Sequence, residues 1–378
     1  MPDKTPEEAR WDAYQADLHG RNAVFFHTVR KDPDQAENYY KQALVFGPNI
    51  ARNLGNYAAF LATQRHDLDR AEEFYSRAIA ADPDDALNLG SYAAFLGSMR
   101  GNREGAAELY ERAIAADPTN APNLANYAAF LSQGGKDDDR ADVLFARALQ
   151  AGPDDAHALG RYAVFQSKAK GNQDLAEQAY EHAIAVDPDN ADNLGNYGAF
   201  LMNVRGNRDR AEQMVKRAIE ADPWNAVNLA RYAALLHLGG ADPATVLALS
   251  RRAVEADPDE PEVLVNHAGF LLADGDPDGL QFLGRAADLG PSDSAQLELA
   301  VYRFAHDPIP DHSRAGLRAA KRLLEGGVRS PGSDLDRNVE AAIRSGHDEP
   351  YLLAALAHVV SGEQPISTLK SFRAWQDA

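Results

Sequence analysis

The chain has 378 residues, with 38 basic side chains against 57 acidic ones, a net charge of −19 and no cysteine. That balance argues against general nucleic-acid binding, which relies on Lys and Arg to neutralise phosphate. The missing thiols exclude disulfides, zinc thiolates and a cysteine nucleophile, and no apolar run approaches the roughly 20 residues of a membrane span.

The opening stretch, MPDKTPEEAR, lacks the basic and apolar segments of a signal peptide. It reads as a helix start, with Thr5 as N-cap, Pro6 in the first position and Glu8 completing a capping box. A soluble, cytoplasmic protein is the expectation. Further on, residues 53–61 read NLGNYAAFL, and close copies stand at 88–96, 123–131 and 193–201. Diverged copies fill 158–166 and 228–236. Pro48, Pro83, Pro118, Pro153, Pro188, Pro223 and Pro258 keep the same spacing of 35, and Pro291 follows after 33. Proline disfavours helix in the residue before it, so each marks a helix stop.

Within residues 49–83, Leu54, Tyr57, Ala58 and Leu61 lie on one face of a helix. A polar break follows, and Ala71, Phe74, Tyr75, Ala78 and Ile79 form a second stripe. Asp67 is a candidate N-cap for that second helix. In later copies Gly101, Gly171 and Gly206 end the first helix, and Asn102, Asn172 and Asn207 cap the second. Each unit is therefore helix, turn, helix, turn. A single pair cannot bury its apolar face, so neighbours must stack. Beyond Pro291 the beat stops. The stretches 313–327, 333–346, 349–362 and 365–376 read as four further helices.

A small residue early in the second helix, an aromatic four on, another Ala three later and a closing Pro resemble the tetratricopeptide repeat. Here these are Ala71, Tyr75, Ala78 and Pro83, repeated as Ala106, Tyr110, Ala113 and Pro118, and as Ala176, Tyr180, Ala183 and Pro188. The first helix departs from the family pattern. Leu54 and its counterparts stand where the family often has Trp, Tyr57-Ala58 where it has Leu-Gly, and each unit is one residue longer. The resemblance implies an all-α fold, a right-handed α-solenoid (superhelix) of stacked antiparallel helix pairs. Eight units would span 1–291, with 292–378 as a non-repeat helical C-terminal cap hiding the last apolar face.

The resemblance also implies that first helices line a concave groove. On the polar side of those helices, one slot holds Arg21, Asn56, Ser91, Asn126, Arg161, Asn196, Arg231 and Asn266. The slot one turn later holds Val24, Ala59, Ala94, Ala129, Val164, Ala199, Ala234 and Gly269, all of them small. Amides can pair with both N–H and C=O of an extended peptide, and guanidinium can fork onto a carboxylate. Asn53, Asn88, Asn123, Asn193 and Asn228, three residues earlier, are expected to bridge adjacent helices instead. Lys168 and Lys170 add positive charge beside Arg161, which points to an acidic or C-terminal segment as partner.

Other signals are weak. DGDPDG at 274–279 opens like a calcium loop, but Arg285 stands where the bidentate Glu belongs, so it reads as a turn. There is no HExxH pair, phosphate loop, nucleophile elbow or dinucleotide fingerprint. The expectation is a non-catalytic interaction scaffold, without metal or cofactor, that binds a protein or peptide in its groove. Single-stranded RNA, stacked on Tyr and Phe, is the alternative.

Overall fold

The computed structural model describes residues 5–133, 137–330 and 335–378. Among these residues it is all-α, without a strand, and consecutive helices pair. Residues 1–186 form one compact unit and 187–378 a second. The first holds five pairs: α1 (Pro6–Thr28) with α2 (Pro33–Phe46), α3 (Ala51–Gln64) with α4 (Leu68–Ala81), α5 (Ala86–Ser98) with α6 (Arg103–Ala116), α7 (Ala121–Ser132) with α8 (Asp138–Ala151), and α9 (Ala156–Phe165) with α10 (Gln173–Val186). The second continues with α11 (Ala191–Asn203) and α12 (Arg208–Ala221), α13 (Ala226–Leu238) and α14 (Pro243–Ala256), and α15 (Pro261–Ala273) and α16 (Gly279–Leu289). Then come α17 (Asp293–His306) and α18 (Pro310–Glu325), followed by α19 (Asp336–Arg344), α20 (Pro350–Val360), a 3-10 turn at Ile366–Ser371 and α21 (Arg373–Asp377).

Local chemistry sets the helix ends. Thr5 and Glu8 make the reciprocal capping box at the start of α1. Asp67, Asn102 and Asn207 accept from the third backbone N–H of α4, α6 and α12. Asn172 turns its amide instead to Gln166 Oε1, 2.9 Å away. Gly101, Gly171 and Gly206 take left-handed backbone, with φ of 65°, 69° and 62°, a conformation that costs other residues strain. Asp85, Asn120, Asp155, Asn190 and Asn225 cap first helices, which accounts for part of the acid in the proline turns. Arginines of five second helices tie proline turns down. Arg77, Arg112 and Arg147 donate to the carbonyls of Pro48, Pro83 and Pro118, and Arg217 and Arg285 to those of Pro188 and Pro258.

The core runs along the stack. Ala71, Ala78, Ala106, Ala113, Ala141 and Ala148 have no exposed surface, so paired helices meet closely through them. At each junction in the first unit, an aromatic of one second helix stacks on the next first helix. The ring centroids of Tyr40 and Tyr57, Tyr75 and Tyr92, and Tyr110 and Tyr127 lie 5.4, 5.3 and 5.2 Å apart. Phe60, Phe95 and Phe130 join these pairs.

Three features depart from the sequence reading. The helix after Ala156 widens into a π turn at Gln166–Lys170, where buried Gln166 replaces the Leu61 of other copies. α17 was not anticipated; it pairs with α18, which starts at Pro310 rather than Ser313. The stretch 365–376, read as one helix, is a 3-10 turn and then α21. Leu369 and Trp375, both buried, are six residues apart and so would point about 120° away from each other on a continuous α-helix. The break at extended Phe372 lets both face the core. Ser333, the expected start of α19, lies outside the described residues.

Candidate functional site

In the first unit the predicted slot places Arg21, Asn56, Ser91, Asn126 and Arg161 on α1, α3, α5, α7 and α9, and none is buried. Their surroundings differ. Arg21 is neutralised by Asp17, 2.7 Å away, and Asp17 also takes Arg52 of the next pair. Asn126 Oδ1 lies 2.8 Å from His157 Nε2, which in turn meets Arg161 Nε at 3.0 Å. His157 thus links two slots across a helix junction. Among the described residues, the side chains of Asn56 and Ser91 make no hydrogen bond. Val24, Ala59, Ala94, Ala129 and Val164 lie half-buried beside them.

In the second unit Asn196, Arg231 and Asn266 sit half-buried on α11, α13 and α15. Arg231 donates to Asn196 Oδ1 at 2.9 Å and to Asn228 Oδ1 at 3.0 Å. Asn266 makes no side-chain hydrogen bond among the described residues. The small column changes at its last member. Gly269 is buried, and a Cβ there would come within 2.6 Å of the Tyr302 hydroxyl of α17. Tyr302 therefore covers the floor at α15.

The second amide column does bridge helices. Asn53, Asn123 and Asn228 donate to the carbonyls of Ala16, Ala86 and Ala191, each from the preceding first helix, at 3.0, 2.7 and 3.0 Å. Asn88 gives its amide to Asp85 instead.

Lys170 does not join the polar slot. It reaches Asp142 of α8 at 3.2 Å and lies over Phe165. It continues a column in which Arg65 pairs with Asp34 and Glu37, and Arg100 with Asp69 and Glu72, each guanidinium over the phenylalanine of its own helix. The Glu37 carboxyl titrates below the ordinary carboxylate range; its partners Lys41 and Arg65 outweigh the opposing effect of burial. The cation stands 28 or 31 residues after each carboxylate, a spacing that recurs with the repeat. Lys168 stays exposed at the end of the π turn.

The rings proposed for base stacking lie inside. Tyr57, Tyr127 and Tyr197 are at most 2% exposed and Phe60 fully buried. The 274–279 stretch forms the turn between α15 and α16. Asp276 accepts there from the Asp278 backbone, while Arg285 reaches away to Pro258. No described helix is long and apolar enough to cross a membrane.

Comparisons with known proteins follow the same lines. The family model for the tetratricopeptide repeat matches residues 156–190. No curated protein matches the chain. Similar solved structures include PilF of Pseudomonas aeruginosa, at 23% identity over 55% of this chain and 93% of that one, with a TM-score of 0.43. A tetratricopeptide repeat protein of Parabacteroides merdae is 19% identical over 66% of this chain and 97% of its own, with a TM-score of 0.45. YrrB, a repeat protein with an unusual peptide-binding site, is 22% identical over 50% and 95%, with a TM-score of 0.31. The family model covers this one pair, whose closing proline recurs at every pair up to α15 and α16 and whose two second-helix alanines recur at most of them, so the chain is similar to tetratricopeptide-repeat proteins.

Proposed function

We infer that the protein is a non-catalytic interaction scaffold that holds an extended peptide or partner subunit against the polar slot of its first helices. One observation carries this reading: a polar or cationic side chain stays out of the core at the same slot of every pair from α1 to α15. It stands beside a column of small residues, where a peptide backbone can lie close. Asn56, Ser91 and Asn266 have amide or hydroxyl groups to offer such a chain. Arg161 and Lys168 supply the cationic part of the face, so the segment bound there carries a carboxylate, from an acidic side chain or a C-terminus. Arg21 and Arg231 contribute less, since Asp17 and Asn196 already hold them. Residues 292–378 serve as the cap that covers the last apolar face. The burial of Tyr57, Phe60 and Tyr127 favours peptide over RNA, because stacked bases need an exposed ring.

The test is affinity capture from the source cell with the wild type beside Asn56→Ala/Asn126→Ala/Arg161→Ala, followed by mass spectrometry. A partner held by the wild type and lost at least tenfold by the folded triple variant places binding on the slot. Equal retention by both removes the slot from the site.

A further inference from the structure

At the junctions of the first unit, three rings fill the space between one second helix and the next first helix, as with Tyr75, Tyr92 and Phe95. In the second unit this filling is lost stepwise. Between α14 and α15 the facing pair is Ser250 and His267, joined at 2.8 Å. Between α16 and α17 the same register places Leu283, Ala300 and Arg303. All three rings are gone, and an open cleft of about 810 Å³ stands among α16, α17 and α18.

Small residues and two arginines line the cleft: Ala300, Ala315, Gly316 and Ala319, with Arg303 on α17 and Arg322 on α18. Among the described residues, neither guanidinium makes an ion pair or side-chain hydrogen bond. The nearby Asp307 is engaged by the Ile309 N–H at 3.0 Å and by His312 at 3.4 Å. Along α18 the lining runs from His312 to Arg322, roughly 15 Å at the helical rise, or four to five residues of extended chain. Clefts of several hundred Å³ with a few polar groups are the usual form of a binding site.

We propose that this cleft docks an acidic peptide segment, which seats an aromatic side chain where Ala300 replaces the tyrosine of the other junctions and sets a carboxylate on Arg303, one turn further along α17. The aromatic preference follows from the space, which rings fill wherever the repeat is regular. The acidic preference follows from two unpaired guanidiniums on an otherwise acidic chain. This site is separate from the polar slot and does not depend on it.

The experiment pans a random-peptide display library against the full-length wild type and Ala300→Tyr in parallel. The enriched peptide is then titrated calorimetrically against wild type, Ala300→Tyr, Arg303→Gln and Asn56→Ala/Asn126→Ala. The expected peptides carry Phe, Tyr or Trp within two positions of Asp or Glu. They bind at least tenfold more weakly to Ala300→Tyr and Arg303→Gln, and with unchanged affinity to the slot variant. Ala319→Leu fills the same cleft and replaces Ala300→Tyr if circular dichroism shows that variant misfolded. Peptides without this bias, or held equally by the filled cleft, overturn the proposal. Loss on the slot variant with retention on the filled cleft also overturns it, while leaving the slot reading intact.

Discussion

Gly55 has no side chain because Asn88 of the next pair occupies the space a Cβ would need. The same holds for Gly20 against Asn53, Gly90 against Asn123 and Gly195 against Asn228. Thirty-three residues separate each glycine from its asparagine. Where the glycine gives way to Ala125 the asparagine becomes Ala158, and where it gives way to Ala230 it becomes Val263. The two columns thus act as one fitting. Gly55→Ala should gain up to about 1 kcal/mol of helix propensity but lose about 1–3 kcal/mol by overpacking the buried amide. Adding Asn88→Ala, the combination the chain itself uses at 125 and 158, should relieve the clash. A double-mutant cycle by urea denaturation is expected to return a favourable coupling of about 1 kcal/mol or more. Additivity would show that the two positions do not fit each other. The asparagines were legible as bridges, whereas their dependence on a bare glycine needed the distance between two helices.

At the scale of helices, the junctions decide how pairs stack. Six of the seven residues named for the unit 49–83 stripes besides Ala58 and Ala71 are large apolar or aromatic groups, and the periodicity alone placed them inside. The junction between α14 and α15 substitutes a hydrogen bond for rings, and it brings a titratable group into the core. Burial pushes the His267 imidazole down to about 4, and the nearby Arg251 adds to the effect. The folded state therefore binds this proton less readily than the unfolded chain does. Stability contributed by neutral His267 is intact above about pH 6.5 and is lost as pH falls toward 4, by up to about 3 kcal/mol. His267→Gln should flatten the melting temperature over that window relative to wild type, measured by calorimetry from pH 7 to pH 4. Parallel profiles would mean that the imidazole takes up its proton without disturbing the junction.

For the molecule as a whole, the second unit shows why a stack needs an end. Leu264, Leu272 and Leu283 share a core with Leu297, Leu317, Leu352 and Leu356. A chain ending at Pro291 would leave the first three partly uncovered. The fragment 1–291 is expected to lose amide protection in α15 and α16 by hydrogen exchange, with α3–α8 unchanged, because each repeat contacts only its neighbours. Unchanged protection in α15 and α16 would rule out a capping role for 292–378.

Sequence by itself determined the helix pairs, their period, their caps and the inward faces, since these depend on residues three to seven apart. It also marked the polar slot, because a helix period assigns each position to a side. Helix α17 escaped it: once Ala300 and Arg303 replace the rings, the repeated pattern fades while the helix persists. Only the tertiary structure decided that Lys170 turns back to Asp142, that Arg231 is already held, that Tyr302 lies over Gly269, and that missing rings leave a cleft. Each of these depends on groups some 13 to 35 residues apart meeting across a junction, and no local pattern records how closely two stacked helices approach.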